Sequence, residues 1–481
     1  MTPRFAAAVL VAASAGCASP RDRLESSELR PVPRSAAIAE ASGGVASPVL
    51  PSAQELRAKE LLAGVAARGS ATLSDCFRLA EATQEDLLSG DEARLQAVLE
   101  RDLAVSGFLP VLSLSTYAFR QDRVPGGSGS SSSSRSGNNS SDTSADREEL
   151  AATVRQPIFQ GFANLQAMHV AEKTAASRTA AIEVIRSSLW RSVARAFFLV
   201  LESEAEVKTL EESEKLDRKR VDEMRARQEN GLARRTEVLL LESQLQNTLA
   251  DLQRARTRRD LAMTILEQLV GVDVTVPLTH ADAPRMPVPE RPAALAEALR
   301  SRPELRAAGL ATEAAEASVE VARAGYWPTL SFVGNEYLAR SGFSPYQDNT
   351  DWDALLVLDW PFFDGGVTKA RERIAKSQLR QSRLAESATL RSVVQDVESV
   401  LVRVATDGAL LATFERNVQI ATENVGLLIE EYAHGIATNL EVLTAQNVLQ
   451  NSQLDAERQR LINRLDEVEL SIALGRTEIA P

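Results

Sequence analysis

The sequence predicts a mainly α-helical chain that also carries membrane β-strands, laid out as a helix–strand–strand–helix plan used twice. Three observations predict this. Pro157 and Pro361, Gly231 and Gly435, Asn247 and Asn451, and Gly271 and Gly475 each stand 204 positions apart, and a repeat this long sets the architecture. Apolar residues recur in steps of three and four along the helical stretches, as in a coiled coil. Between those stretches lie short alternating segments bounded by Pro and Trp, as in strands. After the N-terminus no run of apolar residues is long enough for a transmembrane helix, which leaves a β-barrel as the means of spanning a membrane.

The N-terminus reads as an export signal over residues 1–17. Arg4 supplies the positive region, Phe5 to Ala13 the apolar region, and Ser14-Ala15-Gly16 the small residues before a cleavage site. Small residues followed by Cys17 resemble a bacterial lipoprotein signal, in which that cysteine is acylated. Ordinary cleavage after Ala15, leaving Cys17 unmodified, is the alternative. Residues 18–71 include Pro20, Pro31, Pro33, Pro48 and Pro51 and read as a disordered tether. The remaining cysteine, Cys76, sits among Leu73, Phe77 and Leu79 and is expected to be a buried thiol.

The first repeat is expected over residues 72–271. A helix runs from Leu73 to Gly107 and is stopped by Leu109-Pro110. Val111 to Phe119 form a strand. Residues 121–146, with Gly126-Gly127-Ser128-Gly129 and a serine run, form a solvated loop. Leu150 to Ile158 form a second strand. A long helix from Ala163 to Gln228 then meets a turn at Gly231, and a return helix reaches Val270. A Pro-rich linker covers 272–292. The second repeat covers 293–475, followed by a short tail, 476–481. It has a helix from Ala293 to Gly325, strands over Thr329–Leu338 and Trp352–Trp360, a long helix to Tyr432, a turn at Gly435 and a return helix to Gly475. Pro110 and Pro328 are 218 apart, so the first copy's strand–strand loop is 14 residues longer.

The seam of the second long helix reads Val393, Val397, Val400, Val404, Asp407, Leu411, Phe414, Val418, Ala421, Val425, Leu428 and Tyr432. Asp407 is its one polar member. In the last strand, Trp352, Ala354, Leu356, Leu358 and Trp360 share one face, opposite Asp353, Leu355, Val357 and Asp359. An apolar face with Trp at both ends suits a membrane strand with interfacial girdles. Leu150, Ala152, Val154 and Ile158 form a similar face, with Arg155 opposite. Four strands do not close a barrel, since small barrels need about eight, so the open edges require other copies of the chain.

The net charge of −12 argues against nucleic-acid binding. The only histidines, His169, His280 and His434, are far apart, and no phosphate-binding loop or His-Glu-x-x-His stands in the chain. No catalytic constellation, metal site or cofactor is expected, so the chain is read as no enzyme.

The duplicated plan, the boundaries at Leu109-Pro110, Gln156-Pro157, Trp327-Pro328 and Trp360-Pro361, and the glycine tips followed by Glu-Val-Leu resemble the TolC-like outer-membrane efflux protein family. The resemblance covers residues 72–475. It implies a homotrimer whose strands close a twelve-stranded barrel, with the helices forming a periplasmic tunnel. It also implies partners: a periplasmic adaptor protein and an inner-membrane pump. The family's lipoprotein branch would suit Cys17. The adaptor-docking tips would be Asn230, Gly231 and Leu232, and His434, Gly435 and Ile436, although both glycines also suit helix C-caps. A constricting acidic ring would fall on Glu441, with Glu237 its counterpart and Thr444 at the position of a second acid. Thr438-Asn439-Leu440-Glu441 is equally a capping box, which the first copy lacks because Arg234 takes the place of the threonine. Arg234 and Arg235 are candidates for pairing with a neighbouring hairpin. The function implied is an outer-membrane duct for efflux or type I secretion. The competing readings are a periplasmic adaptor and a structural coiled-coil lipoprotein. An adaptor would have one hairpin between β domains, and a structural coiled coil has no use for Trp-bounded strands.

Overall fold

A computed structural model of the chain describes residues 53–119, 147–279, 288–341 and 351–476, with side chains from residue 60 onward. Cys17, the export signal, most of the expected tether and the Ser/Gly loop lie outside the described residues. The chain divides at Ala53 into two units, of which the second, Gln54–Pro481, contains both repeats.

Helix α1 (Ala53–Arg68) falls inside the stretch expected to be tether. Its sequence holds five Ala, three Leu and no Pro, so it favours a helix. Val65 is buried, and Arg68 pairs with Asp75 at 2.6 Å. The tether expectation therefore ends too late. Ala71 also bridges Leu278, donating its N–H to Pro277 at 3.1 Å. The first part of the 272–292 linker is thus tied into the core, where Val274 and Leu278 are buried.

The single helix expected from Leu73 to Gly107 is two helices, α2 (Leu73–Thr83) and α3 (Glu85–Ser106), broken at Gln84 with ψ 123°. Its counterpart in the second repeat breaks in the same way at Arg302, ψ 121°, between α6 (Arg291–Ser301) and α7 (Pro303–Arg323). Pro303 forces its predecessor out of the α region. Gln84 and Arg302 stand 218 apart, so the fold imposes the break in the first copy without a proline.

The long helices are α4 (Ala163–Glu229) and α8 (Val367–Ala433), 67 residues each and therefore about 100 Å long. Their return helices are α5 (Arg235–Val270) and α9 (Asn439–Ala473). Helix α3 lies on α4, whereas α7 lies between α4 and α8. Each return helix ends against its own short helix. The Thr83 hydroxyl donates to the Val270 carbonyl, and the Ser301 hydroxyl to the Leu474 carbonyl, both at 2.7 Å. A Cβ on Gly271 would stand 2.7 Å from the Thr83 side chain, and one on Gly475 2.9 Å from Ser301. Both positions therefore need glycine for closeness as well as for their positive φ.

Two apolar clusters are copies of one another. The first includes Cys76, Ala80, Val193, Leu266 and Val270, and the second Ala294, Ala298, Val397, Leu470 and Leu474. Cys76 thus fills the place of an alanine, and burial pushes its thiol up to about 12. Every seam residue of α8 is buried or half-buried, as heptad packing requires.

Strands β1 (Val111–Phe119), β2 (Arg147–Gln160), β3 (Thr329–Ser341) and β4 (Trp352–Asp359) form one antiparallel sheet in that order. β1 and β4 are its open edges. The strand predicted to reach Trp360 ends one residue earlier. Leu114 faces Ala152, Val154 faces Gly334, and Phe332 faces Leu356. This register puts Leu112, Leu114, Val154, Leu356, Leu358 and Trp352 on one face. The other face carries a polar row in which Thr153 donates to Asn335 at 2.8 Å, and Asn335 and Tyr337 donate to Asp353 at 2.7 and 2.6 Å. A bulge between Pro157 and Phe159 takes Ile158 out of the expected alternation. Among the described residues no helix is long and apolar enough to cross a membrane.

Candidate functional site

Each hairpin tip is a Schellman turn. In the first, Leu232 donates its N–H to Arg227 at 2.8 Å and Gly231 to Gln228 at 2.9 Å. In the second, Ile436 donates to Glu431 at 2.9 Å and Gly435 to Tyr432 at 3.0 Å. Gly231 and Gly435 have φ 73° and 71°, the left-handed region that favours glycine. The C-cap reading of both glycines is therefore correct. Asn230 closes its own helix by donating to the Ala226 carbonyl at 2.8 Å. His434 is exposed. Leu232 and Ile436, the residues after the glycines, are 79% and 76% exposed.

Beyond the second tip the capping box forms in full. The Glu441 carboxylate accepts from the Thr438 N–H at 2.6 Å and from its hydroxyl at 2.9 Å, and the Glu441 N–H donates to Thr438 Oγ1 at 3.3 Å. The backbone donor, then the hydroxyl, hold the Glu441 carboxyl below its usual range. The side chain is exposed, so capping does not hide its charge. In the first copy the box is half present. Arg234 has no acceptor to offer, yet its N–H donates to Glu237 at 3.3 Å. Thr444 is exposed, and its hydroxyl donates to the Leu440 carbonyl at 2.8 Å, as an uncharged helix side chain does. Arg234 and Arg235 are exposed and enter no ion pair within the described chain.

The structure joins the two tips through residues the sequence did not single out. Val221, Met224, Val238 and Leu241 of the first hairpin enclose Leu443 of the second, with Tyr432 packed alongside. The Arg227 guanidinium lies 5.3 Å from the Tyr432 ring centroid and donates to the hydroxyl at 3.2 Å. Arg220 donates to Gln446, and Gln244 to Asn447 at 3.2 Å. Tyr432 is the last member of the α8 seam, which was the one available sequence signal for this contact. The arginines opposite it gave none.

The far end carries the sheet. Trp352 and Trp360 are 66% and 59% exposed, and Trp360 donates its indole N–H to the Tyr326 carbonyl at 3.3 Å. Among the described residues no three acidic, His or Cys groups are placed to hold a metal.

The model of the outer membrane efflux protein family matches residues 79–272 and 294–476. Nodulation protein T of Rhizobium leguminosarum bv. trifolii is 26% identical over 236 residues, 47% of this chain and 50% of that protein. The probable outer membrane lipoprotein SilC of Salmonella typhimurium is 26% identical over 255 residues, 50% of this chain and 54% of that protein. The chain thus spans about half the length of the curated relatives it matches. The outer membrane protein VceC of Vibrio cholerae superposes with a TM-score of 0.71 at 19% identity, over 84% of this chain and 96% of that one, a likeness of fold.

Proposed function

The chain belongs to the outer membrane efflux protein family, and from that premise we propose that it is the outer-membrane duct of a tripartite efflux or type I secretion assembly. It conducts cargo passively, delivered by an inner-membrane pump through a periplasmic adaptor. The observation that carries this reading is the sheet. It has an apolar face, a hydrogen-bonded polar face and two open edges, and it crowns two helical hairpins. A periplasmic adaptor or a structural coiled coil has no use for such a sheet.

The open edges call for further copies of the chain, and three copies supply twelve strands. The repeat supports the same conclusion independently. Helix α7 is flanked by long helices on both sides, whereas α3 has only α4. Its free flank exposes Leu99, Leu103 and Val105, and α8 exposes Ile374, Leu384 and Leu390. Setting α3 of one copy against α8 of the next repeats the contact that α7 makes within the chain.

Leu232, Ile436 and the residues around the tip glycines dock the adaptor. Glu441 of each copy lines the constriction, and the Arg227–Tyr432 contact holds the hairpins together. Cys17 anchors the chain by acylation, a reading supported by the lipoprotein designation of SilC. The test is fractionation of cells making the full chain. An SDS-resistant oligomer of three chains in the outer-membrane fraction, forming conducting pores in planar bilayers, is expected. A soluble periplasmic monomer overturns the reading.

A further inference from the structure

Asp407 is the polar residue in the α8 seam, and neither the barrel nor the tips use it. It is 7% exposed. One carboxylate oxygen accepts from Gln459 Nε2 at 3.1 Å, while the other is buried with no donor. An unpaired buried carboxylate is costly. Asp466 of α9, 5% exposed, neighbours it, one turn beyond Asn463, whose amide donates to the Asp407 carbonyl at 3.3 Å. Glu469, 6% exposed, follows one turn further along α9. Both are already compensated. Arg403 of α8 reaches Asp466 at 2.9 Å and Glu469 at 2.5 Å, and Arg195 of α4 reaches Glu469 at 2.6 Å. Helices α6 and α7 bring Arg302 and Glu304 toward α8, but these are engaged higher up, Arg302 with both Asp396 and Glu304. Three carboxylates therefore face two guanidiniums, and Asp407 is the one left over.

The repeat supplies a control. The positions 204 residues earlier than Asp407, Asp466, Glu469 and Arg403 are Ser203, Ala262, Ile265 and Leu199. The Ser203 hydroxyl donates to its own helix, to the Leu199 carbonyl at 2.6 Å. The first hairpin thus has no charge at these four positions; the nearest carboxyl raised by burial is Glu204, with Arg259 acting against the shift.

We propose that Asp407, midway along α8, and Asp466, near the end of α9, form a proton-binding joint in the second hairpin. One proton shared between the two carboxyls ties α8 to α9, and its loss loosens the hairpin there. The joint lies about 40 Å from the tip end of α8. It belongs to the hairpin's own packing and holds whether or not the chain serves as a duct. Burial first, then the neighbouring Asp466, push the Asp407 carboxyl up from 3.8 to about 6. The closed hairpin thus holds the proton more tightly than the opened one does. The added stability is gained as pH falls through about 6, is complete below 3.8, and is lost as pH rises.

Hydrogen exchange on the full chain in detergent tests this, with intrinsic rates corrected for pH. Peptides over 400–412 and 459–470 should be about tenfold better protected at pH 5.0 than at pH 7.5. The equivalent peptides of the first hairpin, whose raised carboxyl, Glu204, is opposed by Arg259, should change clearly less. Asp407→Asn, which copies the protonated form, should hold the acid-level protection at both pH values. Asp407→Ser, which copies the first hairpin, should keep the fold and lose the pH dependence. Equal wild-type protection at both pH values overturns the proposal. So does a pH dependence that survives in either variant, or one that appears equally in the first hairpin.

Discussion

At the scale of single residues, Glu441 combines two roles that one substitution does not separate. Its carboxylate caps α9, yet it is exposed and keeps its charge. Two variants divide the roles. Thr438→Ala removes the hydroxyl half of the box and leaves the carboxylate, at a cost of about 1 kcal/mol to the helix start. Glu441→Ala removes the carboxylate half of the cap together with the charge. If Glu441 rings a constriction, Glu441→Ala alone raises single-channel conductance in planar bilayers and weakens block by multivalent cations. Equal changes in the two variants would mean that the residue acts only as a cap. Phe162 is another residue doing two things. It is the one described non-glycine residue with positive φ, 67°, and it stands 204 positions before Gly366, φ 89°. Its ring packs edge-on against Phe159 and Trp327, with centroids 5.1 and 6.2 Å away. Phe162→Ala loses the ring and keeps the strained backbone, whereas Phe162→Gly loses the ring and relieves the strain. The alanine variant should therefore be the less stable by about 1 kcal/mol, seen as a lower thermal midpoint by circular dichroism.

At the scale of the elements, the hairpins were legible because heptads and capping residues act within one helix. The α8 seam and the turns at Gly231 and Gly435 are local patterns of that kind. The break at Gln84 was not legible in its own segment. It became so only through Pro303, once the 218-residue offset is applied. Helix α1 was hidden by the prolines before it. The contact between the tips was least legible, because no local pattern sets Arg220 and Arg227 apart until the first hairpin packs on the second. That contact is testable. Tyr432→Phe removes the hydroxyl that Arg227 reaches and keeps the ring. Tyr432→Ala removes both, and with them a cation–π contact worth about 0.5–1 kcal/mol at a partly exposed site. Exchange at the tip peptides should rise severalfold in the alanine variant and less in the phenylalanine variant. Unchanged exchange in both would mean that the Leu443 cluster alone joins the tips.

At the scale of the whole molecule, the sheet determines which environment the chain needs. A soluble sheet and a barrel wall share the same alternation, and differ in which face tolerates charge. Leu356 and Val357 are neighbours in β4, 69% and 43% exposed, and pair with Phe332 and Ser331 of β3. Leu356 lies on the face with Trp352 and Leu358, and Val357 on the face with the Thr153–Asn335–Asp353 row. In a barrel the first face meets lipid and the second lines an aqueous lumen. Arginine near the bilayer midplane on the lipid face costs about 2–4 kcal/mol, and a lumen substitution is tolerated. Leu356→Arg should therefore abolish the SDS-resistant oligomer in the outer-membrane fraction. Val357→Arg should leave it intact and change only the ion selectivity of the pore. If the apolar face instead covered a soluble core, Leu356→Arg would still disrupt folding, but no oligomer would be found in membranes for the wild type either. If both variants assemble as the wild type does, the two faces are not lipid and lumen, and the barrel reading is lost.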